Sequence, residues 1–135
     1  MKFDARGEVA ISLDGRDVKG ITDHAVLIHT GHSERFDTDR YHQNAPHLTP
    51  AAAEALVNAG VSCVGIDSIN VDSMADLARP VHSILLGSGV PIVEHLTSLS
   101  RVPASGFTFT AVPPPIVGAG TFPVRAFATL GGAGE

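Results

Sequence analysis

Residues 49–96 hold the succession that most limits what this chain can fold into: a helix, a buried strand, a second short helix and another strand. In "TPAAAEALVNAG" Thr49 carries a side-chain oxygen suited to capping, and Pro50 fits the first helical position. Alanine and leucine propagate the helix, and Gly60 ends it. "VSCVGID" follows at once and reads as a fully buried strand, like the earlier "DHAVLIHTG" with its continuous apolar centre. "ADLARPVHSILLGSG" predicts a short helix from near Pro80 to Gly87 or Gly89, and "VPIVEHL" predicts one more strand. Strand, helix and strand in this order predict a parallel crossover.

The flanks read differently. "GEVAISLDG" alternates apolar and polar residues and ends in the turn signal Asp14-Gly15, which predicts a strand. Beyond Pro103, "GFTFTAVP" and "FPVRAFATL" also alternate, as two arms of a long antiparallel connection. Their link, "PPPIVGAGT", is too rich in Pro and Gly for regular structure. The expected fold is therefore α/β, with a mixed sheet and few helices. One domain is expected over residues 1–130, with a flexible tail at 131–135.

Composition narrows the class of partner. A chain of 135 residues can bury roughly two-thirds of its unfolded surface in one domain. Nine Lys and Arg against fourteen Asp and Glu give a net charge of −5, without a basic stripe, which argues against a nucleic-acid role. No apolar run is long enough to span a bilayer, and "MKFDARGEVA" lacks a signal-peptide core. Cys63 is alone, so it forms no internal disulfide and reads as a small buried thiol of a cytoplasmic protein.

Within "RPVHSILLGSGVPIVEHL" an imidazole and a carboxylate, His82 and Glu94, interrupt an apolar stretch. His82 falls in the first turn of the expected helix. Glu94 falls near the carboxyl end of the next strand, where open α/β sheets place their ligands. Neutral imidazole plus carboxylate is a partial ligand set for Zn²⁺ or Mn²⁺. A capping histidine and an exposed strand-end glutamate explain the same pattern without a metal. "GIDSINVD" adds Asp67 and Asp72: one reading is a carboxylate that orients His82, the other a turn in which Asp67 accepts backbone N–H bonds. Residues 32–48 form a long polar loop carrying His32, His42 and His47, with His29 just before it; such histidines reach a substrate, relay protons or simply face solvent. His24 and His95 carry no functional weight. Neither Ser68 nor Cys63 has the setting of a nucleophile, and "GSG" and "GAG" lack the context of a dinucleotide site.

Taken in order, "AVLIHTG", "LTPAAAEALVNAGVSCVGIDSINVD", "RPVHSILLGSGVPIVEHL", "FTFTAVPPPIVGAG" and "FPVRAFA" resemble the cyclase family, which includes bacterial kynurenine formamidase and isatin hydrolase. The resemblance implies a swivelling-type α/β domain that binds one or two divalent metals, Zn²⁺ or Mn²⁺, and hydrolyses formamides or cyclic imide-like substrates. It implies that His82 and Glu94 are metal ligands, with His32 and His42 as candidate proton shuttles. The family's His-x-Gly-Thr-His-x-Asp segment has no counterpart here, so the chain resembles only the C-terminal part of the family domain. The metal site is then expected to be weak or incomplete in this chain alone. A complementary chain or a homo-oligomer would complete it and cover exposed sheet edges. The alternative is a non-catalytic ligand-binding or assembly module that keeps the fold without the chemistry.

Overall fold

The computed structural model describes residues 1–131. In chain order the elements are β1 (Lys2–Asp4), β2 (Ala10–Ile11), β3 (Ala25–His29), β4 (His47–Leu48), α1 (Pro50–Asn58), β5 (Cys63–Ile66), α2 (Pro80–Gly87), β6 (Ile92–Val93), β7 (Phe107–Val112) and β8 (Arg125–Leu130). Four strands form a parallel sheet in the order β1-β3-β5-β6. Strands β2 and β4 make a separate two-stranded parallel pair, and β7 with β8 an antiparallel hairpin. The α/β class with few helices is thus what folds, with parallel and antiparallel pairing distributed over separate sheets.

Local chemistry explains both helices. Thr49 caps α1 as expected, its Oγ1 accepting from the Ala52 amide at 3.2 Å. Gly60 closes the helix at φ +75°, a conformation that costs glycine nothing. Helix α2 starts at Pro80 and ends at Gly87, and no side chain of its own caps it. Its cap comes from nine residues upstream, as described below.

The parallel sheet divides two apolar layers by strand alternation. Val26, Ile28, Val64 and Ile66 pack with Ala52, Ala53 and Leu56 of α1 and with Val81 and Leu85 of α2, all buried. On the opposite face Leu27 packs with Leu96 and Leu99, and Phe107, Phe109 and Ala126 of the hairpin complete that layer. Gly65 lies in register with Leu27. A Cβ at position 65 would stand 2.7 Å from a methyl of Leu27 and 2.7 Å from a methyl of Leu96. The absent side chain is what lets the second layer sit against the sheet.

Two sequence expectations change. "GEVAISLDG" contributes only Ala10–Ile11 as strand, because its partner β4 is two residues long and Gly7 and Gly15 turn the chain at φ +88° and +74°. Cys63 is half-buried, at the start of β5, and burial pushes its thiol up to about 11. The tail expected at 131–135 lies, apart from Gly131, outside the described residues. We expect Gly65→Ala to lower the stability by about 1–3 kcal/mol through overpacking, read as a lower denaturant midpoint at an unchanged slope.

Candidate functional site

The carboxyl ends of β3, β5 and β6 meet at one edge of the sheet, and the polar groups gather there. Asp67, just past β5, is wholly buried. Its Oδ1 accepts from the Thr30 amide at 2.6 Å and from the Thr30 hydroxyl at 2.7 Å, and its Oδ2 accepts from the Gly31 amide at 2.9 Å. This carboxylate ties the end of β5 to the end of β3. Asp67 therefore accepts backbone N–H bonds as expected, but the donors are 36 and 37 residues away at the end of β3 and not in its own turn.

Asp72 is also buried, and it serves α2. Its Oδ1 accepts from the Val81 amide at 2.7 Å and its Oδ2 from the His82 amide at 3.0 Å. These are among the N–H groups that a helix start leaves without partners, and a carboxylate there also faces the positive end of the helix dipole. The same Oδ2 accepts from His82 Nδ1 at 2.7 Å. One carboxylate thus caps the helix and aims the imidazole. Burial alone would raise the Asp72 pKa; the bonds from the His82 ring and amide and from the Val81 amide outweigh it and hold the carboxyl below its ordinary value.

With Nδ1 committed, Nε2 of His82 is the nitrogen left to face the site. It lies 3.6 Å from Glu94 Oε1. Glu94 Oε1 accepts from the Val71 amide at 2.8 Å, which fixes that carboxylate beside the residue preceding Asp72. Arg79 Nη2 rests against the same imidazole, 2.9 Å from Nε2 and 3.3 Å from Nδ1. A proton on Nδ1, donated to Asp72, with Nε2 accepting from Arg79, is the tautomer that satisfies both hydrogen-bond partners of the ring. Backbone strain borders the pair on both sides. Arg79 has φ +49° and His95 has φ +58°, left-handed conformations that disfavour side chains with a Cβ by about 1–2 kcal/mol each.

The donor set can be tested against a divalent ion. Two ligands each at about 2.1 Å from a tetrahedral ion stand about 3.4 Å apart. The 3.6 Å between His82 Nε2 and Glu94 Oε1 fits two such positions. Among the described residues no group of three or more His, Cys, Asp or Glu side chains converges on a common point, so the fit extends to two ligands and not to a full shell.

The loop histidines separate. His32 is buried; its Nε2 bonds the Tyr41 carbonyl at 2.7 Å and its ring stacks on Tyr41 with centroids 5.0 Å apart. His42 is exposed and stands edge-on to Tyr41. Neither is hydrogen-bonded to His82 or Glu94. The histidine beside the pair is His95, whose Nδ1 lies 2.8 Å from the Tyr41 hydroxyl. Burial, followed by the charges of Asp67 and Glu94, pushes the Tyr41 phenol up. Arg79, Tyr41 and His95 were not legible as site residues. The nearest signal was the pairing of "AR" with Pro80, since a residue before proline is restricted in backbone conformation.

The fold and the imidazole–carboxylate pair define a class: an α/β domain that places an imidazole and a carboxylate side by side near the carboxyl ends of its parallel strands. Residues 12–73 match the family model of the cyclases. Kynurenine formamidase of Geobacillus thermodenitrificans is 34% identical over 110 residues, covering 82% of this chain and 50% of the relative. Kynurenine formamidase of Salinibacter ruber is 39% identical over 79 residues, covering 58% of this chain and 37% of the relative. A solved structure described as a potential metal-dependent hydrolase with cyclase activity superposes with a TM-score of 0.78 at 28% identity, covering 93% of this chain and 61% of that one. Isatin hydrolase A of Ralstonia solanacearum superposes with a TM-score of 0.73 at 25% identity, covering 85% and 48%. The chain is similar to the cyclase family over part of that family's domain, and it spans half or less of the length of these two formamidases.

Asp72 also makes a prediction that needs no metal. A carboxyl held below its unfolded value stabilises the fold above that value, and the contribution is lost as pH falls through the folded pKa. Asp72→Asn is expected to lower stability by about 1–3 kcal/mol at pH 7. The difference from wild type should shrink as pH drops below the ordinary aspartate value of 3.8, in denaturant titrations run at several pH values.

Proposed function

We propose that this chain supplies His82 and Glu94 as two ligands of a divalent ion, Zn²⁺ or Mn²⁺, in a hydrolase of amide-like bonds such as formamides or cyclic imides. The observation that carries the reading is the 3.6 Å approach of His82 Nε2 to Glu94 Oε1, with the other ring nitrogen held by Asp72. The likeness to kynurenine formamidases and to an isatin hydrolase supports the substrate class. We read residues 1–130 as one domain working in the cytoplasm.

An ion bound there supplies Lewis acidity toward a carbonyl and an acidified water. The chain's own residues do the rest. Asp72 keeps Nδ1 protonated and the Nε2 lone pair turned outward, which raises the basicity of that donor. The Val71 amide fixes one oxygen of Glu94. Arg79, exposed and long, lies against Nε2 and must swing aside for an ion to take that lone pair. His42 faces solvent on the loop and is the candidate to exchange protons there; His32, bonded to the Tyr41 carbonyl, braces the loop.

The remaining ligands come from a further segment or from another chain, whether a second copy or a complementary polypeptide. The exposed apolar residues of the hairpin arm, Val112, Ile116, Val117, Phe127 and Leu130, support such an association. A second reading, the non-catalytic module, draws on the absence of a third donor among the described residues. Metal analysis separates the two. Zn or Mn bound to the wild-type protein, and reduced at least tenfold in affinity by His82→Ala and by Glu94→Ala, supports the hydrolase reading. Equal metal content in all three proteins, or none in any at millimolar ion, overturns it.

A further inference from the structure

The segment from Ser33 to Pro46 runs from the end of β3, in the four-stranded sheet, to β4 of the two-stranded pair. Two short 3-10 turns, His32–Arg35 and Asp39–His42, are its regular structure. Its backbone bonds are local: Phe36 to Ser33, Thr38 to Arg35, Tyr41 to Thr38 and Gln43 to Arg40. Asp37 and Asn44 bend it at φ +64° and +48°. Most of its side chains are exposed; Tyr41 is the exception among the large ones, at 5%. Its bonds to flanking residues run from the Glu34 amide to the Gly31 carbonyl, from His32 to the Tyr41 carbonyl and from His47 to the Ala45 carbonyl. Among the described residues, the one hydrogen bond that joins the strap to a residue distant in sequence is that of the Tyr41 hydroxyl with His95 Nδ1, across 54 residues.

We propose that Tyr41, acting through His95, is a positioning residue that pins the strap against the shoulder of Glu94. His95 follows Glu94 directly, and its own amide is held by the Ser68 carbonyl at 3.0 Å, so the anchor point is fixed on the sheet side. The left-handed backbone at His95 is what turns its ring toward the strap and away from the path of β6. Stacking on His32 and edge contacts with Phe36 and His42 hold the Tyr41 ring; the ring also lies against that of His95, with centroids 5.8 Å apart, and the hydroxyl supplies the hydrogen bond. Breaking that bond leaves the strap's internal structure intact and frees its position. That this position matters to a reaction rests on the reading of His82 and Glu94 as ligands; the pinning itself does not.

Limited trypsin digestion reads the pinning directly, because Arg35 and Arg40 are exposed on the strap while Lys19 and Arg101 are exposed elsewhere. Tyr41→Phe keeps the ring and removes the hydroxyl. His95→Gly keeps the left-handed backbone and removes the imidazole. Each is expected to speed cleavage after Arg35 and Arg40 about fivefold, as the loss of one hydrogen bond implies, with cleavage at Lys19 and Arg101 unchanged. The double variant should be no faster than His95→Gly alone. His95→Asn, which tolerates the backbone and offers a polar atom near the place of Nδ1, should restore most of the protection. Wild-type cleavage rates in Tyr41→Phe, additive effects in the double variant, or faster cleavage at all sites alike would overturn the proposal. The assay involves no metal and no substrate, so its outcome is separable from that of the ligand substitutions.

Discussion

The site depends on the carboxylate of Asp72. It satisfies two of the amides that the start of α2 leaves open, and through one of the same oxygens, Oδ2, it fixes the ring of His82. Remove it, and the helix start and the imidazole lose their constraint together. Asp67 performs the parallel task at the end of β3, joining Thr30 and Gly31 to the end of β5. Two aspartates five positions apart in one short connection therefore hold the edge of the sheet where the donors gather. Each is buried because each is fully paired, which is how a carboxylate becomes tolerable away from water.

Strain and charge then shape the surroundings. Arg79 and His95 both adopt left-handed backbone, one just before the helix that carries His82 and one just after Glu94. Positions of this kind persist only where the neighbouring structure over-determines them. At Arg79 the constraint is Pro80 and the bonds from Ser83 to the Arg79 carbonyl; at His95 it is the bond to Ser68. The two residues that frame the pair are thus also the two that the sequence pattern hides, because neither is glycine and neither belongs to a recognisable motif.

Where order along the chain dictates structure, the sequence was readable. Thr49-Pro50 and Gly60 marked both ends of α1, Pro80 and Gly87 those of α2, and the apolar runs marked β3 and β5. The alternation after Pro103 located both arms of the hairpin. Strand β1 escaped notice because three residues carry no period, and it exists through pairing with β3. The pair His82 and Glu94 was legible as chemistry. The partner of Tyr41 was not, since nothing local ties a tyrosine in a polar loop to a histidine 54 positions later. Asp72 lay between these cases: its presence was visible, but whether it served a turn or an imidazole depended on how the connection after β5 folds back.

The stitches around the pair are short in another sense. Val71 to Glu94, Asp72 to Val81 and Asp72 to His82 span 23, 9 and 10 residues respectively. Closing loops of this size is fast and entropically modest compared with docking distant segments. The mutual orientation of the two donors is accordingly written into one contiguous stretch of chain, ahead of the hairpin in order of synthesis. A nascent polypeptide can set this geometry before its last strands have emerged.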